Sequence, residues 1–205
     1  RTCYTKNSTE KVFELEKIFA GVGMSKGVSL SMQSLDDETL KNIKRDNIKM
    51  DFFKSLQKKY LEADLPTYTE LILPLPGETY ESFKKGIDTL FDCCQHTGIV
   101  VYNSTVAPNA EFGDKNYQQK YKIETVNTPL FQPHSEKYTD EVLEYEPIVV
   151  STYSMSRLEW RRTYKFAILV QSFHVLGLLQ VLAIILRHEY RVTYSDFFES
   201  LIHYG

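Results

Sequence analysis

Apolar positions in the first two-thirds of the chain change repeatedly between helical and extended spacing. A helical stripe from Glu10 to Phe19 precedes the apolar stretch Gly27 to Gln33, which predicts a short strand. Two more strands are predicted at Tyr68 to Leu75 and Gly98 to Tyr102, with a helix from Thr79 to about Thr97 between them. Strands joined by long helical crossovers pair in parallel with right-handed connections, so this region predicts an α/β fold.

Polar residues predict where two of the helices begin. Ser34, with Asp37 three residues later, has the spacing of a capping box. Asn47 is a good N-cap for the next helix, which carries Phe52 and Phe53. Two helices are therefore expected between the first and second strands.

The last third of the chain has a different pattern. The stretch from Ser104 to Pro147 is polar and lacks clear periodicity, which predicts a long loop or a lid. After it, Met155 to about Glu189 predicts one long helix or two, and Thr193 to His203 predicts another.

One apolar stretch, Phe166 to Leu186, is about long enough to cross a bilayer. Its interior contains Gln171, His174 and Gln180, and polar groups are costly in hydrocarbon unless they have partners. A buried packing helix is therefore the favoured interpretation, and no membrane partner is expected. A protein anchored to a membrane by this stretch remains a further hypothesis.

Composition narrows the classes of partner. The 205 residues carry a formal net charge of −3, which gives no basic surface for nucleic acid. Cys3, Cys93 and Cys94 form neither a disulfide framework nor a metal-binding spacing, so we expect a reduced, cytoplasmic protein. A chain that starts at Arg1 without a signal segment predicts a piece of a longer protein.

In parallel α/β folds, ligands bind at the carboxyl ends of the strands. The three predicted strand ends lie at Ser31 to Ser34, Pro74 to Glu78 and Tyr102 to Thr105. These segments carry the polar residues that we expect to form a site.

The same segments carry motifs of a known family. The sequence has S-x-Q-S at Ser31 to Ser34, L-x-x-I-x-R-x-N at Leu40 to Asn47, and E-L-I-L-x-L-P-G-E-T at Glu70 to Thr79. In this order and spacing they resemble the fourth and fifth strands of radical S-adenosylmethionine (SAM) enzymes, with the cobalamin-associated branch the most similar. The resemblance implies a partial TIM-type (βα) barrel with parallel strands, namely the C-terminal half of the family's barrel, over residues 1–125. A loop-rich, then mainly helical extension would follow over residues 126–205.

The resemblance also implies roles for residues at the strand ends. Gln33, in the same motif as Ser31, would bind a ribose hydroxyl of SAM, and Glu70 would accept hydrogen bonds from the ribose hydroxyl pair. The fork of Arg45 would grip the methionyl carboxylate in a two-point contact.

The adenine end of SAM would lie against the turn that follows the second strand. The turn from Pro74 to Gly77 would bring backbone groups to the adenine edge, with Glu78 helping to hold the turn. Pro74 stands where the family usually has glycine, and proline lacks the backbone donor. Val101 and Tyr102 would wall the adenine pocket, although Tyr102 also fits a position in the core.

Simpler interpretations of these residues remain open. Ser31 and Gln33 could end a strand and cap a helix. Arg45 could be solvated among neighbouring lysines. Glu70 needs a polar partner, which a ligand or the protein could provide, and Glu78 could be an acid favoured by a helix dipole.

The family's C-x-x-x-C-x-x-C loop, which holds a 4Fe–4S cluster, is absent from the sequence. The resemblance therefore implies part of an enzyme that binds SAM beside a cluster held elsewhere and generates a 5′-deoxyadenosyl radical. An electron donor, a small-molecule or peptide substrate and possible use of cobalamin from a domain outside this chain are implied as well. The alternative is a degenerate, non-catalytic half-barrel module that binds a partner.

Overall fold

A computed structural model describes residues 9–25, 27–130 and 144–204. The helices are α1 (Glu10–Gly21), α2 (Asp37–Asn42), α3 (Met50–Glu62), α4 (Tyr80–Asp92), α5 (Lys115–Lys120), α6 (Arg157–Val170), α7 (Gln180–Tyr190) and α8 (Tyr194–Tyr204). The strands are β1 (Val28–Ser29), β2 (Thr67–Leu73), β3 (Ile99–Asn103), β4 (Glu124–Pro129) and β5 (Tyr145–Ser151). A 3-10 turn lies at Glu111–Gly113, and a π-helical turn at Gln171–Val175 follows α6.

The first three strands form one parallel sheet in the order β1-β2-β3. In its register Glu70 lies beside Val100, and Ile72 lies beside Tyr102. The predicted α/β class and the positions of all three strands are therefore confirmed. The described strands do not close, and the partial TIM-type barrel remains a prediction.

Burial alternates along β2 because successive side chains point to opposite faces of the sheet. Thr67, Thr69, Leu71 and Leu73 are buried, whereas Glu70 and its neighbours on the other face are half-buried. The buried face packs against the apolar sides of α3 and α4, which contribute Phe53, Leu56, Phe83, Ile87 and Leu90 to the core. The opposite face of β2 is therefore the one on which polar chemistry is accessible.

Two of the predicted helix caps are wrong. Asp36, not Ser34, caps α2, because its carboxylate accepts a hydrogen bond from the Thr39 N–H at 2.8 Å. Asn47 does not cap α3, which begins after Lys49. Ser34 and Asn47 instead make tertiary contacts near the strand ends, and such contacts override local capping preference.

The region from Ser104 to Pro147 contains more regular structure than its polar sequence predicts. It includes α5 and most of an antiparallel pair formed by β4 and β5. Thr105 bridges to Ile148 in antiparallel fashion, so the chain leaving β3 runs directly into this second sheet. The predicted domain boundary between residues 125 and 126 lies within β4, and the division itself remains a prediction. Residues 131–143 of the predicted loop lie outside the described residues.

The region from Met155 to about Glu189, for which one long helix or two are predicted, forms the two helices α6 and α7, with the π-helical turn after α6. In the described part of the chain no single helix has the length and apolarity to cross a bilayer. Together, the segments Arg157–Val175 and Gln180–Tyr190 have the required length and apolarity, but they meet at a bend of 95°. Phe166, Ala167 and Val170 on the first of them belong to the same core as the parallel sheet.

A buried histidine joins the C-terminal helices to the end of α4. His174, in the π-helical turn, is 0% exposed and stacks on Phe91 with ring centroids 3.9 Å apart. Its Nε2 lies 3.0 Å from Nδ1 of His96, while its own Nδ1 is buried without a hydrogen-bond partner among the described residues. Burial, reinforced by His96, lowers the pKa of His174 to about 4.

We expect acid to destabilise the protein through His174. Its pKa falls from 6.5 to about 4 on folding, so the unfolded chain binds the proton more tightly. The stability that His174 contributes through this difference in pKa is fully present above pH 6.5 and is lost as the pH falls towards about 4. In urea unfolding, the wild type should lose on the order of 2 kcal/mol more between neutral and acid pH than His174→Phe does.

The exposed His203 provides the control, since His203→Ala should keep the wild-type pH dependence. If the wild type and His174→Phe lose the same free energy of unfolding between neutral and acid pH, this account of the buried histidine pair is contradicted.

Candidate functional site

Ser31, just beyond β1, connects two charged residues, Arg45 and Glu70, of which Glu70 lies in the middle of β2. Its carbonyl oxygen accepts a hydrogen bond from Nη2 of Arg45 at 2.6 Å. Its hydroxyl donates to Oε2 of Glu70 at 2.7 Å, and the residue is 2% exposed. Because both groups are hydrogen-bonded to Ser31, this residue fixes the position of the Arg45 guanidinium relative to the Glu70 carboxylate.

Arg45 is half-buried and lacks a carboxylate partner among the described residues. Its Nε donates to Oδ1 of Asn47 at 2.9 Å, and Asn47 in turn donates to the Ser34 carbonyl. Burial lowers the pKa of the Arg45 guanidinium, and no acidic group opposes that effect. A desolvated guanidinium held by neutral oxygens is suited to binding an anionic group, because its fork matches a carboxylate.

Glu70 lies on the accessible face of β2. Tyr102 is on the same face of the neighbouring strand, since Ile72 lies beside it in the parallel register. Tyr102 is 49% exposed. The face thus offers a carboxylate that holds only a serine hydroxyl among the described residues, next to an aromatic ring.

Gln33 ends the first strand region in an unusual conformation. Its φ of 60° lies in the left-handed region, which is sparsely populated by residues other than glycine and costs free energy. Its backbone is held on both sides by β2, because its N–H donates to Glu70 and its carbonyl accepts from Ile72, each at 2.9 Å. No described residue hydrogen-bonds its side-chain amide, which remains available to a ligand.

The turn after β2 is buried from Pro74 to Glu78. The Glu78 carboxylate accepts hydrogen bonds from the hydroxyls of Ser34 and Ser82. Burial raises the pKa of Glu78, although the two serines oppose that shift. Glu78 thus connects the end of the first strand region, the turn and the start of α4.

Val101 lies away from the other predicted residues. It pairs with Leu71, is 7% exposed and belongs to the core face that the helices cover. Its N–H donates to Oε1 of Gln171 at 3.2 Å, so a residue of the π-helical turn covers the edge of β3. The structure therefore brings together Ser31, Gln33, Arg45 and Glu70, with Tyr102 nearby, but it does not place Val101 on their face.

Sequence reasoning missed two polar residues that support the turn. Asn42 is an unspecified position inside the L-x-x-I-x-R-x-N motif, and Ser154 lies more than 70 residues downstream of the turn in sequence. No motif on which the family resemblance rests includes Ser154.

The described residues contain no group of three or more histidine, cysteine or acidic side chains that could hold a metal ion. Cys93 is buried, which raises the pKa of its thiol, and the adjacent Cys94 is exposed. Cys3 lies outside the described residues. The donor set at the strand ends consists of hydroxyls, amides, a carboxylate and a guanidinium, which fits the ribose and amino-acid groups of SAM.

Comparison with known proteins confirms the family resemblance. The cobalamin-dependent radical SAM methyltransferase TokK of Streptomyces tokunonensis is 34% identical over 204 residues, covering 100% of this chain and 30% of TokK. The 2-(S-pantetheinyl)-carbapenam-3-carboxylate methyltransferase of Streptantibioticus cattleyicolor is 35% identical over the same length and is covered to the same extent. No protein-family model matches the chain. The chain is therefore homologous, over its whole length, to about 30% of the length of such enzymes.

Gly77 should tolerate no side chain, because α2 packs directly on the turn. Its φ is +105°, and an added Cβ would lie 2.9 Å from both the Cα and the N of Thr39. Gly77→Ala should lower the free energy of unfolding by roughly 2–4 kcal/mol in chemical denaturation.

Gly21 is the matched control, since an added Cβ there meets nothing within 4 Å and its φ is not in the left-handed region. If Gly77→Ala changes the free energy of unfolding no more than Gly21→Ala does, the close packing of α2 on the turn is contradicted.

Proposed function

We propose that this chain forms the SAM-binding part of a cobalamin-dependent radical SAM methyltransferase. The observation that carries the proposal is Arg45, a half-buried guanidinium with no carboxylate partner among the described residues. Through Ser31 it is linked to Glu70, the accessible carboxylate of β2. A cation and an anion linked through Ser31 match the carboxylate and the ribose hydroxyls of SAM.

Each residue contributes a specific contact in this proposal. Arg45 uses Nε and one N–H of Nη2 to hold itself in place, which leaves the second N–H of Nη2 and both N–H groups of Nη1 to donate to the methionyl carboxylate. Glu70 accepts from Ser31 through Oε2, which leaves Oε1 to accept from ribose hydroxyls. Gln33 adds an amide donor and acceptor from a backbone that β2 holds rigidly. Tyr102 offers an aromatic surface on the same face.

The remaining cofactors would be held by residues outside the described part of the chain. When bound, a 4Fe–4S cluster supplies the electron that splits SAM, and cobalamin supplies a carrier for the methyl group. The residues described here would orient SAM so that its reacting end points towards that cluster, and would exclude water from the bound nucleoside. An electron donor would be a required partner.

Methyl transfer is the reaction named for both relatives. We therefore propose a small organic molecule as the methyl acceptor, because a carbapenam carboxylate is the acceptor named for one of them. A cytoplasmic location fits the free thiols of Cys93 and Cys94.

A non-catalytic module is the second candidate, and Pro74 is the observation that favours it. Proline at this position offers no backbone N–H to a ligand, whereas the family usually has glycine there. A module of this kind would retain the fold without turning over SAM.

Substituting the two charged residues should weaken SAM binding. In the complete gene product, Arg45→Ala and Glu70→Ala should each raise the dissociation constant for SAM by about tenfold or more, since each removes a charge-assisted hydrogen bond. Isothermal titration calorimetry measures both.

Lys44→Ala is the matched control, because Lys44 is an exposed neighbour of Arg45 that pairs with Glu111. It should leave the dissociation constant close to that of the wild type. Wild-type affinity in both Arg45→Ala and Glu70→Ala would refute the assignment of the site.

Turnover of SAM distinguishes the proposed enzyme from the alternative of a non-catalytic module. The complete gene product, reconstituted anaerobically with iron and sulfide and given a reductant, should convert SAM to 5′-deoxyadenosine, and Arg45→Ala should reduce the yield. A coding sequence without C-x-x-x-C-x-x-C upstream of Arg1, together with no 5′-deoxyadenosine, would favour the non-catalytic module.

A further inference from the structure

Asn42, the last residue of α2, makes contacts on three sides at once. Its Nδ2 donates to the carbonyl oxygen of Pro76, in the turn after β2, at 3.1 Å. The same nitrogen donates to the Tyr153 hydroxyl at 3.1 Å, and Oδ1 accepts from the Tyr121 hydroxyl at 3.3 Å. The Asn42 carbonyl accepts from the Tyr117 hydroxyl at 3.1 Å. One side chain therefore connects the turn to two separate segments of the chain that follows β3.

Ser154 supports the same turn from the segment between β5 and α6. Its hydroxyl accepts a hydrogen bond from the N–H of Gly77 and donates one to the carbonyl oxygen of Glu78, each at 2.9 Å. The segment that carries Ser154 is itself anchored, because the N–H of Tyr153 donates to the carbonyl oxygen of Tyr121 at 2.8 Å. A single hydroxyl thus fixes both a donor and an acceptor of the turn.

These contacts use three consecutive residues of the turn, Pro76, Gly77 and Glu78. Because each of these three residues is hydrogen-bonded to Asn42 or to Ser154, a shift of either side chain is expected to move the turn. A small displacement of a binding surface weakens binding without removing any direct contact.

We propose that Asn42 and Ser154 are positioning residues for the nucleoside half of SAM. They act through the turn from Pro74 to Glu78, which the family resemblance places against the adenine, so this inference rests on the proposed function. In this proposal the segment that carries Ser154 influences the geometry of the SAM site through the turn. Arg45 acts separately on the amino-acid half.

Two ligands distinguish effects on binding of the nucleoside half of SAM from effects on binding of its amino-acid half. 5′-Methylthioadenosine contains the nucleoside but no amino-acid group, whereas S-adenosylhomocysteine contains both. In the complete gene product, Asn42→Ala and Ser154→Ala should each raise the dissociation constants of both ligands by about tenfold. Arg45→Ala should raise that of S-adenosylhomocysteine alone.

Ser156→Ala is the matched control for stability. Ser156 lies two residues from Ser154 and caps α6 by accepting a hydrogen bond from the N–H of Glu159. Its loss should lower the melting temperature, as a lost helix cap does, while leaving both dissociation constants within about twofold of the wild type. Loss of stability alone would therefore not explain a change in affinity.

The inference is overturned if Asn42→Ala and Ser154→Ala lower the melting temperature but bind both ligands as Ser156→Ala does. If Asn42→Ala does not fold, Tyr121→Phe and Tyr153→Phe each remove one hydrogen bond to Asn42 without leaving a large cavity. A smaller rise in both dissociation constants then supports the inference, and no rise in either overturns it. Wild-type affinity in Arg45→Ala and Glu70→Ala would instead overturn the proposed function, so the two failures are distinguishable.

Discussion

Parallel pairing of β2 with both of its neighbours is the constraint on which the site depends. Because the strands run in the same direction, their carboxyl ends meet at one edge of the sheet. Ser31, just beyond β1, reaches Glu70 in the middle of β2, and Tyr102 shares the accessible face of Glu70 through the register of the third strand. The helices on the other face bury Leu71 and Val101, which leaves the first face for polar chemistry.

The second principal feature is a set of buried polar contacts that hold the turn after β2. Glu78 has almost no exposed surface, and a buried carboxylate is costly unless it is hydrogen-bonded. The hydroxyls of Ser34 and Ser82 supply those bonds, and the hydroxyl of Ser154, from the distant C-terminal segment, donates to the backbone carbonyl of Glu78. A buried network of this kind specifies one arrangement of the turn, because breaking any member leaves another polar group unsatisfied.

The strands and the motif residues could be predicted from the sequence because their signals are local. Short apolar runs marked the strands, and the spacing around Gln33 and Glu70 carried the resemblance. The supports of the site could not be predicted, since Asn42 and Ser154 act through contacts between segments that are distant in sequence. Ser34 shows the same limit, because its local capping pattern is overridden by a tertiary hydrogen bond to Glu78.

A crystal structure of the complete gene product with S-adenosylhomocysteine is the most direct test of the central claim. The account predicts that the carboxylate of the ligand contacts Arg45, that its ribose hydroxyls contact Glu70, and that its adenine lies along the turn from Pro74 to Glu78. A ligand bound elsewhere, with Arg45 paired to a carboxylate of the protein itself, would contradict the account.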